Sequence, residues 1–107
     1  LTIGENIGDL SGVAMAYRAY IRSLNGEEPP VIDGFTGPQR FFIGYAMSRK
    51  GKYSEQATVR RLASGPHSPL KYRVIGPYRN IDAFHEAFGT RPGDGMWLPP
   101  EERVRIW

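Results

Sequence analysis

Apolar residues recur at three- and four-residue steps from the beginning of the chain. Ile3, Ile7, Leu10, Ala14, Tyr17, Ile21 and Leu24 follow this rhythm, which is the stripe of an amphipathic helix. The pattern predicts a helix from about Gly4 to Asn25, with Gly26 stopping it as a C′ glycine. Glu27 to Gly34 is a proline-bearing loop. Thr36-Gly37-Pro38-Gln39 has the residue types of a capping box, in which the threonine oxygen accepts from the N3 amide and the glutamine reaches back. A second helix is predicted from there through Phe41, Phe42, Tyr45 and Ala46 to about Arg49, with Gly51 as its stop. Ser54 is placed to cap a third helix through Val59, Leu62 and Ala63, which Ser64-Gly65-Pro66 ends. His67-Ser68-Pro69 reads as a loop and Tyr72 to Ile75 as a short extended run. Asn80 is placed to cap a fourth helix carrying Ile81, Phe84 and Phe88, with Gly89 after it. Arg91 to Trp107 is turn-rich. The expected fold is mainly α: about four helices, short extended segments and little sheet. No repeat or low-complexity stretch interrupts it.

A chain of 107 residues is one domain or part of one, and can bury about 60–70% of its unfolded surface. There is no cysteine, so disulfides, zinc fingers and iron–sulfur sites are excluded. No apolar run approaches the ~18 residues of a membrane span, and no signal peptide is visible. The chain opens Leu1-Thr2-Ile3 without a methionine, and the expectation is that it starts inside a longer protein. The net charge of +3 is scattered from Arg18 to Arg105, whereas a strong nucleic-acid binder concentrates charge on one face. No nucleic-acid partner is therefore expected. The alternative is a small basic helical module that binds nucleic acid or protein. For single strands, Tyr72 and Tyr78 would stack bases between Lys71, Arg73 and Arg79.

Few residues carry chemistry. Glu5 and Asp9 are four apart and share one side of the first helix. Gly12 and Ala16 continue that side, so another helix could approach it closely. The same two acids also fit a plain N-terminal turn that complements the helix dipole. His67 in its loop is by default solvated or hydrogen-bonded for structure, Arg73 alone is a surface arginine, and His85 is a packing or surface residue. A catalytic zinc needs about three protein ligands, and the chain has no HExxH or His-x-His.

Several motifs in order add a resemblance. Gly4-Glu5-Asn6-Ile7-Gly8-Asp9-Leu10-Ser11-Gly12 resembles the GENIAD..G motif of the neprilysin and endothelin-converting-enzyme family of zinc metallopeptidases. Ala16-Tyr17-Arg18-Ala19-Tyr20, Phe41-Phe42 with Ala46, His67-Ser68-Pro69 with Tyr72-Arg73-Val74-Ile75-Gly76, Phe84 with Ala87-Phe88, and Val104-Arg105-Ile106-Trp107 resemble later motifs of that family at similar spacing. The absent cysteines resemble its bacterial type. The resemblance implies that residues 1–107 are the C-terminal portion of a metallopeptidase catalytic domain, folded like the C-terminal part of a thermolysin-like (gluzincin) domain. It implies that Glu5 is the third zinc ligand and that Asp9 orients a zinc-bound histidine. It further implies that His67 bonds the developing oxyanion and that Arg73 holds a substrate backbone carbonyl. Zinc would be the cofactor, peptides the substrates, and an upstream HExxH-bearing part of the same protein the partner. The chain alone would be inactive. A second copy, forming a homodimer, is expected to cover the side of the first helix left open. The resemblance favours an extracytoplasmic or cell-envelope parent. Gly8, Ser11, Met47, Arg49, Lys50 and Val104 depart from the family pattern, and none of these changes touches Glu5, Asp9, His67 or Arg73.

Overall fold

The computed structural model describes residues 3–49, 56 and 70–106. Within them lie four helices: α1 (Ile3–Ser23), α2 (Gly37–Ser48), α3 (Leu70–Arg79) and α4 (Asp82–Phe88), followed by a 3₁₀ turn at Pro100–Glu102. The expected helix from Ser54 to Ala63 lies outside the described residues, as does the loop containing His67. β pairing among the described residues is one isolated bridge between Ile32 and Phe35. The mainly α reading holds.

The α1 stripe forms as its period predicts. The helix ends two residues earlier than Asn25 because Asn25 (φ 52°) and Gly26 (φ 81°) both turn left-handed. Asparagine and glycine are the residues that adopt this region most easily. The following loop closes on Asp33 (φ 54°) and Gly34 (φ 82°), two successive positive φ values as in a type I′ turn. Arg40 Nη1 staples that loop by donating to the carbonyls of Pro30 (2.7 Å) and Phe35 (2.8 Å). The capping box of α2 is present: Gln39 N donates to Thr36 Oγ1, and Thr36 N donates to Gln39 Oε1. Gln39 Nε2 also donates to the Ala87 carbonyl and so ties the start of α2 to α4.

Phe42 and Val13, each 1% exposed, sit at the middle of the core with Leu10, Tyr78, Ile81 and Phe84. The Phe42 ring stacks on Tyr17 and meets Tyr78 and Phe84 edge-on, geometries that aromatic quadrupoles favour. The Tyr78 hydroxyl donates to the Phe42 carbonyl. α1 packs on α3, α2 on α4, and α3 on α4. Six large apolar side chains are buried among the described residues, while eleven are exposed, Ile3 at 73% and Ile7 at 50% among them.

Three expectations are corrected. Tyr72 to Ile75 is not extended but lies within α3. Its tyrosine and β-branched residues suggest a strand, but such local preferences are weak, and packing of Val74 on the core outweighs them. Asn80 does not cap α4. Ile81 occupies the N-cap position without a side-chain bond, because the Asn80 amide is engaged elsewhere: Nδ2 donates to the Gly76 carbonyl (2.8 Å), and Oδ1 accepts from Val104 N (2.7 Å). Tyr78 is 3% exposed, so it cannot stack a base, and the nucleic-acid reading loses one of its two aromatic residues.

Candidate functional site

Glu5 and Asp9 stand one turn apart on α1, as their spacing requires. Glu5 is exposed, while the Asp9 side chain is only 9% exposed. Arg73 reaches it from α3. Its Nε donates to Asp9 Oδ2 and its Nη2 to Asp9 Oδ1, both at 2.8 Å. This is the two-pronged guanidinium–carboxylate geometry that gives the strongest charge-assisted bonds. The Arg73 side chain is 12% exposed, which corrects the default reading of it as a surface arginine. The bond from Asp9, then the charges of Asp9, Tyr45 and Glu5, raise the Arg73 pKa above its ordinary value against the lowering effect of burial. Arg73 is thus a permanent cation held in place by α1. No sequence signal pointed to this pairing, because its members are 64 residues apart.

Along the same side of α1, Gly12 and Ala16 are exposed. A Cβ added at Gly8 or Gly12 would meet nothing within 4 Å, so nothing in the described residues covers this small-residue side. Val13, next to Gly12 in the chain, is buried in the core. A groove of about 340 Å³ opens beside Asp9, bounded by Ile3, Ile7, Tyr72 and Val104 among others.

His67 cannot be placed relative to these groups, since it lies outside the described residues. His85 is buried as a packing residue: its Nε2 donates to the Arg79 carbonyl, and its Nδ1 pairs with Thr90 Oγ1. No group of three or more His, Cys, Asp or Glu able to hold a metal occurs among the described residues. Among the described residues, the exposed carboxylate of Glu5 has the chemistry of a single zinc ligand, not of a whole site. Residues with no site role expected from the sequence also line the groove. Asn80 and Val104 form part of its wall, and a hydrogen bond joins them.

Across the chain, arginines latch the tail. Arg103 Nη1 and Arg105 Nη2 both donate to Asp82 (2.9 Å each). The Arg103 guanidinium lies over the Trp97 ring at 4.8 Å. The bond from Arg103 chiefly, and that from Arg105, hold the Asp82 carboxyl below its ordinary range, while partial burial opposes them.

A family profile described as Peptidase family M13 matches residues 1–104. Membrane metallo-endopeptidase-like 1 of Mus musculus is 43% identical over 109 residues, covering 99% of this chain and 14% of that protein. Neprilysin of Homo sapiens is 37% identical over 110 residues, with the same coverage on each side. Among solved structures, the zinc metalloprotease Zmp1 of Mycobacterium tuberculosis in its open state matches with a TM-score of 0.96. It is 52% identical, over 99% of this chain and 16% of that one. The chain therefore spans 14% of the length of the curated relatives named here.

Proposed function

The chain belongs to peptidase family M13, and from that premise we propose that it is part of a longer zinc endopeptidase, to which it brings the third metal ligand and the groups that hold and polarise a peptide. The observation that carries this is the Asp9–Arg73 pair with Glu5 one turn away. An exposed carboxylate, a largely buried carboxylate and a fixed cation stand near one another on two packed helices, which supports the reading. The large apolar side chains exposed among the described residues, such as Ile3, Ile7 and Tyr72 around the groove, support the reading of a piece of a larger body.

Glu5 would hold zinc through a carboxylate oxygen, beside ligands supplied from elsewhere in the longer protein. Bound zinc supplies Lewis-acid polarisation of the scissile carbonyl and acidifies its water. Asp9 serves two partners. A carboxylate has about four acceptor sites, so accepting from Arg73 does not bar it from accepting an imidazole N–H. Such a bond fixes the tautomer and angle of a ligating histidine. Arg73, anchored by Asp9 through Nε and Nη2, offers its remaining N–H groups to a substrate backbone carbonyl. His67 donates to the oxyanion as it forms, an interaction realised mainly in the transition state. Alone, the chain lacks the other ligands and the general base, so it does not cleave peptides.

The test sets the purified full-length protein beside the 107-residue chain on one peptide substrate. Chelator-reversible cleavage by the first and none by the second is expected. His67→Phe in the full-length protein should lower kcat about 10²–10³-fold. Cleavage by the chain alone, or chelator-insensitive cleavage by the full-length protein, would overturn the reading. The open side of α1 also leads us to expect homodimers of the isolated chain. A single monomeric species in sedimentation velocity across a concentration series would count against that.

A further inference from the structure

Arg73 stands on a helix with a flaw directly after it. Pro77 lies inside α3. Proline has no amide hydrogen, so the bond from residue 77 to the Arg73 carbonyl cannot form, and the ring crowds that carbonyl. The turn that carries Arg73 is therefore not closed by the helix's own ladder. The end of the helix leaves the α ladder too. Asn80 N donates to Pro77 O rather than to Gly76 O, and Ile81 N donates to Tyr78 O, both i→i+3 bonds of a tightened last turn. Gly76 O is bonded instead by Asn80 Nδ2 at 2.8 Å. The same side chain accepts from Val104 N at 2.7 Å. The two partners fix the amide orientation, since a carbonyl needs a donor and an N–H needs an acceptor.

One side chain thus ties the weakened turn of α3 to the tail. The tail is itself anchored, through Arg103 and Arg105 on Asp82. Asn80 and Val104 also wall the groove beside Asp9. We propose that Asn80 is a positioning residue for Arg73: its clasp of the Gly76 carbonyl and the Val104 amide replaces the ladder bond that Pro77 removes, and so holds the guanidinium where it can meet a substrate carbonyl. This rests on the reading of Arg73 as a substrate-holding group.

The test uses the full-length protein and steady-state cleavage of one peptide, with zinc content and circular dichroism as controls. Asn80→Ala removes both bonds. Asn80→Asp is nearly isosteric, keeps an acceptor for Val104 N, and turns a carboxylate oxygen toward Gly76 O. Because a held carbonyl contributes similarly before and in the transition state, the loss is expected in KM rather than kcat. A rise of roughly 3- to 30-fold is expected in both variants, short of the roughly 100-fold that a misplacement of about 1 Å can cost. In an Arg73→Ala background, the same substitutions should leave KM unchanged, because the group they position is gone. An equal KM rise with and without Arg73 would show a merely structural role and overturn the proposal. So would wild-type KM in Asn80→Asp, which decides the matter even where Asn80→Ala does not fold. If Arg73→Ala alone leaves KM unchanged, the underlying reading of Arg73 fails and this proposal with it. If Arg73→Ala raises KM and the Asn80 variants do not, only this proposal fails.

Discussion

Replacing Asp9 by alanine strands a guanidinium that is 12% exposed. The pair is made by two bonds of 2.8 Å, and the carboxylate side is 9% exposed, so neither charge has much water to fall back on. At an effective dielectric of about 20, unit charges about 4 Å apart attract by about 4 kcal/mol. Desolvation offsets part of that in the intact pair. Removing one partner is a different matter: it leaves a buried charge uncompensated, which typically costs about 3–5 kcal/mol. The site is at the rim of the packed helices rather than in the core, so the lower end, about 3 kcal/mol, is expected for Asp9→Ala. Asp9→Asn keeps one acceptor but turns an amide N–H₂ toward the second guanidinium nitrogen, and about 2 kcal/mol is expected from the loss of a charged bond. The informative variant removes both charges. Asp9→Leu with Arg73→Met should fall within about 1 kcal/mol of the unsubstituted chain, since apolar replacement of a whole buried pair is often neutral. Urea unfolding followed by circular dichroism reads these proteins together with the single variants Asp9→Leu and Arg73→Met, which complete the double-mutant cycle. The reasoning predicts strong non-additivity, with the double variant more stable than Asp9→Ala. Strict additivity would show that the two side chains do not stabilise one another, and would refute it.

Gly37→Ala places a Cβ against Pro29 and the Tyr20 hydroxyl. A loss of about 1–3 kcal/mol is expected, with partial recovery in Tyr20→Phe, where the obstructing hydroxyl is gone; urea midpoints check both. Gly12→Ala should stabilise the isolated chain by about 0.5–1 kcal/mol, because nothing lies within 4 Å of the new methyl. The same change should impair the full-length protein if another helix packs on that side, so equal stabilisation of both would argue that α1 stays uncovered. Asp82 titrates below its ordinary value, so the unfolded chain takes up the proton first as acid is added. Its contribution is fully present above about pH 4 and is lost as pH falls through the depressed folded value. Asp82 is 47% exposed, so that contribution is at most about 1 kcal/mol after screening by solvent. Asp82→Asn should lower stability by up to about 1 kcal/mol near neutrality and flatten the acid side of the stability–pH curve, so that the two proteins converge at low pH, and an unchanged curve would contradict the assignment.

Much of the architecture was legible where local and tertiary preferences agree. The α1 stripe, the α2 capping box and the left-handed Gly89 stop of α4 are all written in short-range chemistry. Residues 72–75 were misread because tyrosine and β-branched residues carry a strand preference that packing overruled. Asn80 was misassigned for a related reason. An asparagine before an apolar run is a plausible cap, but its amide serves Gly76 and Val104, and the second of these is 24 residues away. The Glu5–Asp9 side of the site was readable from an i, i+4 spacing. Arg73 enters the site only through resemblance, and its pairing with Asp9 was not readable at all, since composition and periodicity carry no information on which distant cation a carboxylate will meet.

The central claim is that Glu5 is a zinc ligand in the full-length protein. Metal analysis of the purified Glu5→Gln protein tests it most directly, with Asp9→Asn measured beside it. The account predicts that Glu5→Gln retains little zinc, while Asp9→Asn still binds it, about 10–100-fold more weakly, as expected for loss of a group that orients a ligand. One zinc per chain in Glu5→Gln, held with unchanged affinity, would contradict the account.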